Sequence, residues 1–126
     1  MNVEKLQKSV EKLKKELGPA LIAMDVWKSG VGTSLASYNT NPEGTALFDQ
    51  ATNYLERILE TAGFPELENY YLVELKNNKL IIIIVFPEGF QWGILVDKNK
   101  INMGLLLGIT IPKARKYFYD AYHSKE

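Results

Sequence analysis

The 126-residue chain has the size of one domain, long enough to bury about two-thirds of its unfolded surface without disulfides or metals. An apolar share of 46% against a charged share of 24% excludes a disordered chain, and fifteen basic residues against fifteen acidic ones leave no net field to draw it onto nucleic acid or an anionic membrane. Cysteine is absent, which excludes a disulfide framework, a thiolate nucleophile and a zinc-thiolate site and fits a reducing interior.

Residues 2–17 place Val3, Leu6, Val10, Leu13 and Leu17 at alternating spacings of three and four among Lys and Glu, and Gly18-Pro19 ends the pattern. This is an amphipathic helix, too short in heptads for a coiled-coil seam, and it is expected to pack on a sheet. Ala20 to Trp27 reads as an apolar strand, Lys28 to Gly32 as a flexible turn and Thr33 to Tyr38 as a second strand, together a hairpin. Asn41-Pro42-Glu43 joins a capping side chain to proline at the first helical position and an acid in the first turn, which predicts a helix to Ala62 closed by Gly63. Leu47, Ala51, Leu55, Ile58, Leu59 and Ala62 form its stripe. With Phe48 and Tyr54 it carries more apolar circumference than one sheet face needs.

Tyr70 to Lys76, Lys79 to Phe86 and Phe90 to Asp97 read as strands joined by Asn77-Asn78 and Pro87-Glu88-Gly89, connections short enough to force antiparallel neighbours. Leu80 to Phe86 shows no alternation, so both of its faces should be covered, which requires helices on both sides of the sheet. Asn102 to Tyr122 is a last helix, expected in two parts because Pro112 removes a donor and clashes with the preceding turn. The expected fold class is therefore α/β (α+β): a single three-layer α-β-α domain over residues 1–126, order α-β-β-α-β-β-β-α, with a five-stranded, mainly antiparallel sheet. The start, Met-Asn-Val-Glu-Lys-Leu, has no apolar signal core and no run approaches the roughly 18 apolar residues of a membrane span, so the expected setting is cytoplasmic, without membrane. The lack of cysteine and the Ile, Lys and Glu content hint at a heat-loving source.

Residue types that carry chemistry are few. His123 is the only histidine and has no second one beside it for metal binding or base catalysis. Asp25 is read as a cap for backbone donors at a strand end rather than as a buried general acid. Gly30-Val-Gly32 is followed by no Gly-Lys-Ser/Thr and by a strand, so it aims no helix N-terminus at a phosphate. Gly104 and Gly108 are expected to pack tightly on the sheet. Trp27, Phe90 and Trp92 are expected in or half in the core, and Tyr117, Phe118, Tyr119 and Tyr122 on a snorkelling helix surface. With no nucleophile and base, metal cluster or carboxylate pair, an enzyme is not expected, nor is a cofactor or a nucleic acid partner.

The element order resembles the roadblock/dynein light chain family, in its prokaryotic small-GTPase regulator branch. The stretches that carry the resemblance are Ala20-Leu-Ile-Ala-Met-Asp-Val-Trp27, then Ser34-Leu-Ala-Ser37 after the glycine turn, and Asn102-Met-Gly-Leu-Leu-Leu107 opening the last helix. The departure is Pro112, where the family usually shows a continuous helix. The resemblance implies a roadblock/profilin-like sheet and a homodimer in which the third strands pair edge to edge and the second helices lie side by side. It also implies a non-catalytic module that scaffolds or regulates a small Ras-like GTPase. The implied interface is Leu47, Ala51, Tyr54, Leu55 and Ile58 on the second helix with Tyr70, Leu72 and Glu74 on the third strand. Tyr70 to Leu75 permits this, since it has no proline and only Glu74 as a charge to discourage pairing. The alternative is a sensory domain that holds a small ligand between sheet and helix, with Trp27 or Trp92 as a wall, and it predicts a cavity.

Overall fold

The computed structural model describes residues 1–125. Asn2 caps α1 (Val3–Leu17), its side chain accepting from the Lys5 amide, and Leu6, Val10, Leu13 and Leu17 form the buried stripe that the spacing predicts. A single 3-10 turn, Gly18–Ala20, leads into β1 (Leu21–Lys28), which pairs antiparallel with β2 (Ser34–Tyr38). Asn41 caps α2 (Pro42–Thr61) through the Gly44 amide, with proline in the first turn. β3 (Tyr70–Leu75), β4 (Lys79–Phe86) and β5 (Phe90–Asp97) then form the meander, its first turn made by Asn77 and Asn78 in the left-handed region.

The five strands form one antiparallel sheet in the order β2-β1-β5-β4-β3, so α2 carries the chain from one edge of the sheet to the other. The registers align cross-strand rows. Met24, Ile94 and Ile82 lie in one row and Val26, Trp92 and Ile84 in the next, and these side chains form the main core with α1 and the last helix. The opposite face carries the rows Asp25–Gly93–Ile83–Tyr71 and Trp27–Gln91–Val85, and α2 lies over them. The result is the three-layer α+β arrangement, with β4 covered on both faces.

The last helical segment differs from the two-part helix expected. It runs as α3 (Met103–Leu105), a π-helical turn (Leu106–Thr110) and α4 (Ile111–Tyr122), and the Ile111 amide reaches the Leu106 carbonyl. Proline at position 112 offers no amide to the turn before it, and one wide turn absorbs that loss without breaking the helix. Gly104 and Gly108 are both exposed, and a Cβ on Gly108 would meet nothing within 4 Å, so the tight packing expected of this pair is absent. Phe118 is not on a helix surface. It is fully buried, stacked on Phe86 with ring centroids 3.9 Å apart, with Tyr119 edge-on to it and Tyr122 nearly parallel to it.

Candidate functional site

The fully buried positions on the face that α2 turns to the sheet are polar, with Phe48 half-buried among them. These are Thr45, Asp49 and Thr52, one per turn of helix, and each reaches a different part of the sheet. Thr45 donates to Asp25 on β1 (2.8 Å). Asp49 Oδ1 accepts from Trp27 Nε1 on β1 (3.2 Å), Gln91 Nε2 on β5 (3.0 Å) and the Gly30 amide in the β1–β2 turn (3.1 Å). Thr52 shares a 2.6 Å hydrogen bond with the Tyr71 hydroxyl on β3. The three contacts make α2 cross the sheet from β1 to the edge strand. Gly32 allows the approach: its backbone has φ +68°, and a Cβ there would sit 3.3 Å from the Ala46 Cα.

Because polar side chains hold α2 down, much of its apolar surface points away. Leu47, Tyr54 and Ile58 are 55%, 58% and 44% exposed, Ala51 is exposed beside them, and Leu55 is half-buried. Arg57 lies over the Tyr54 ring at 5.3 Å. Burial raises the carboxyl pKa of Glu56 on the same helix above its ordinary value, and the Glu66 charge adds to the rise. Burial likewise raises the Tyr71 phenol, while the Thr52 hydrogen bond pulls it back and Glu56 adds to it.

The two edges of the sheet are finished differently. At β2, the Gln7 side chain of α1 both donates to the Ser37 carbonyl (3.0 Å) and accepts from the Ser37 amide (2.9 Å), so a side chain stands where another strand would pair. At β3 the Val85 amide donates to the Asn69 carbonyl (2.9 Å), and alternation along an antiparallel ladder then turns the backbone groups of Tyr71 and Val73 toward β4. The backbone groups of Tyr70, Leu72 and Glu74 therefore face outward, and among the described residues no amide or side chain closes on them. Tyr70 and Leu72 are 38% and 39% exposed and carry the rows of Ile84 and Ile82 to the edge of the sheet. Glu74 is paired with Lys98 at 3.1 Å.

Between the first turns of α2 and the sheet lies a cavity of about 170 Å³. Its floor is Ala23, Ile81, Ile83, Gly93 and Leu95, Phe48 closes it from α2, and Trp27 forms a wall, while Trp92 lies in the core on the other face of the sheet. Gly93 makes room for Trp27, since a Cβ there would lie 3.1 Å from two atoms of the indole. Asp25 is on the cavity wall and is not a backbone cap: it stands in mid-strand, and its Oδ2 accepts from the hydroxyls of Thr40 (2.5 Å) and Thr45. Its Oδ1 is buried and receives no hydrogen bond from the chain. Asp49 carries no local signal in the sequence that singles it out, because the strands and the turn that meet it lie 19 to 42 positions away. Among the described residues there is no cluster of three or more His, Asp or Glu placed to hold a metal, and no helix long and apolar enough to cross a membrane.

Compared as a sequence, the chain matches no family model and no curated protein. Compared as a structure, it is similar to Myxococcus xanthus MglB, with a TM-score of 0.79 over 96% of this chain and 97% of that one at 14% identity. It is also similar to the gliding protein MglB from Thermus thermophilus, with a TM-score of 0.70 over 95% and 93% at 9% identity. A roadblock/LC7 domain from Streptomyces avermitilis gives 0.63 over 90% and 97% at 13% identity. The fold is that of the roadblock and MglB proteins, as the order of elements and the Asn102 segment imply.

Proposed function

We propose that this chain is one non-catalytic domain over residues 1–126 that forms a homodimer through β3 and α2 and, as a dimer, scaffolds or regulates a small Ras-like GTPase. The observation that carries the reading is the unprotected β3 edge beside the exposed apolar side of α2. An edge with outward amides and carbonyls at Tyr70, Leu72 and Glu74 is a template for another strand, and the β2 edge of the same sheet is blocked by Gln7. A second copy paired there extends both apolar rows that end at Tyr70 and Leu72. It also brings Tyr54 and Ile58, on the half of α2 that reaches β3, against their symmetry mates. A module of this kind needs no catalytic group of its own, because holding the switch segments of a GTPase in order is enough to change its hydrolysis. The likeness to MglB structures supports the choice of partner class.

The test is the solution mass by light scattering over a dilution series, for the wild type, Ile58→Glu and Leu72→Lys. The expected result is a dimer that each substitution converts to monomer. A monomer at every concentration, or a dimer indifferent to both changes, refutes the interface. Binding of the dimer to GTP-loaded and GDP-loaded Ras-like GTPases then tests the partner, and equal failure with both nucleotide states across a panel counts against it.

A further inference from the structure

We infer that in the dimer the end of α2 crosses onto the partner's sheet and Phe64 enters the partner's apolar cavity, so that each copy completes the packing of the other. The inference rests on the pairing of β3 edges proposed above and names what a second copy contributes beyond it.

α2 is longer than the sheet beneath it. Thr45 meets Asp25 on β1 and Thr52 meets Tyr71 on the edge strand β3, so by Thr52 the sheet of its own chain has run out. Nine residues remain, positions 53–61, and at about 1.5 Å of rise each they carry the helix about 13 Å past the edge. None of the nine is buried. Steps of three and four residues from Thr52 continue the inward side through Leu55 and Leu59, both half-buried, with Glu56 between them near Tyr71. The inward side is thus polar over the chain's own sheet and turns mainly apolar beyond it. Tyr54 and Ile58 lie on the neighbouring side and are left to meet the partner's α2.

The sheet offers a matching strip. Next to the rows that α2 covers, the registers align Ala23, Leu95, Ile81 and Val73 in one row on the same face, each half-buried. A two-fold pairing of β3 edges that uses Tyr70, Leu72 and Glu74 sets Leu72 against its own mate and Tyr71 beside the partner's Val73. The line of α2, which reaches Tyr71 in its own chain, then continues along the partner's Val73, Ile81 and Leu95. With strands about 4.8 Å apart, the partner's Leu95 stands about 14 Å beyond Tyr71, which is where the helix ends.

Phe64 is the large side chain at that end. It is 63% exposed, and its amide donates to the Leu59 carbonyl (2.8 Å), which holds it against the last turn. The cavity of about 170 Å³ begins at the same row, with Ala23, Ile81 and Leu95 in its floor. A cavity of about 150 Å³ with aliphatic walls holds a benzene ring, so a phenylalanine ring matches this one in size and in chemistry. An exposed ring and an open apolar cavity both leave hydrocarbon in water, and seating one in the other removes both, twice in a two-fold dimer.

The test uses the wild-type chain. In mixed dimers of carbon-13-labelled and unlabelled copies, isotope-filtered NOE spectra should show contacts from the Phe64 ring of one copy to the Leu95 and Ile81 methyl groups of the other. Phe64→Ala removes a ring that is exposed in the single chain, so its circular dichroism should match the wild type. Its dimer dissociation constant, from light scattering on dilution, should rise about a hundredfold, about tenfold for each of the two rings. A dimer that Leu72→Lys breaks, but whose Phe64 ring shows contacts only within its own chain or whose dissociation constant Phe64→Ala leaves unchanged, overturns this inference and keeps the β3 interface. A wild-type monomer at every concentration overturns both.

Discussion

Replacing Asp49 with alanine should loosen α2 from the sheet, because this one carboxylate joins the helix to β1, to β5 and to the β1–β2 turn. Asp49 is 4% exposed, and three donors converge on it. Gln91 Nε2 keeps a second acceptor in Ser29 Oγ (3.0 Å) after the change, whereas Trp27 Nε1 and the Gly30 amide lose the acceptor they have. Leaving a buried donor unpaired costs about 1–3 kcal/mol; Trp27 is buried while Gly30 lies in an exposed turn open to water, so the predicted loss is about 1–3 kcal/mol. Set against the ~5–15 kcal/mol that stabilises a typical domain, that is a measurable fraction which still leaves the variant folded. Asp49→Asn keeps an oxygen for the three donors but gives up the charge, and its amide group opposes the Gly30 N–H that reaches Oδ2 at 3.2 Å. Charge-assisted bonds are about twice as strong as neutral ones, so the expected loss there is about 1–2 kcal/mol. Urea unfolding followed by circular dichroism measures both, and amide exchange compares α2 with α1 in the folded protein. A loss below about 1 kcal/mol for Asp49→Ala, or α2 protection equal to that of the wild type, refutes the view that polar contacts hold this helix.

Other expectations follow from the same face and from the far end of the meander. Thr52→Val removes the hydrogen bond that draws the Tyr71 phenol downward, so the already raised Tyr71 should titrate at higher pH still, with a stability loss of about 1 kcal/mol; ring-carbon titration by NMR checks the first and urea the second. Gly93→Ala puts a Cβ 3.1 Å from the Trp27 ring and 3.3 Å from Ile83 Cδ1, an overpacking of about 1–3 kcal/mol visible as a lower urea midpoint. Asp97 is held below the ordinary aspartate pKa, first by the Asn99 amide that donates to it and then by Lys79. Its folded-state pKa is depressed, so its contribution is present above the unfolded value and lost as pH falls through the folded one. Asp97→Ala should therefore lower stability at neutral pH, leave it little changed below the folded-state pKa and so flatten the acid limb of the profile, as urea unfolding at a series of pH values measures.

The order of elements was legible because each local signal is short-range and unopposed. Asn41-Pro42 starts a helix by capping and by a preset φ, Asn77-Asn78 turns a hairpin through two left-handed residues, and the unbroken Leu80 to Phe86 run fits a strand with helices on both sides. The residues proposed for the interface follow from the family resemblance and from the excess of apolar surface on α2, and they lie along that helix and on the β3 edge.

What the sequence alone determined, then, is which segments become helix or strand, that the sheet is antiparallel, and that some apolar surface is left over. Periodicity, caps and turn residues act within a few positions of themselves, and those are the interactions a linear pattern records. The tertiary structure decided which side of α2 faces inward. Periodicity assigns the apolar stripe to the core, yet Thr45, Asp49 and Thr52 are the buried ones, because Asp25, Trp27, Gln91 and Tyr71 wait for them on strands up to 42 positions away. It also decided that Asp25 would have one oxygen bonded by two threonines and the other buried without a partner in the chain. Such pairings depend on three-dimensional proximity between remote residues, and no local spacing encodes them.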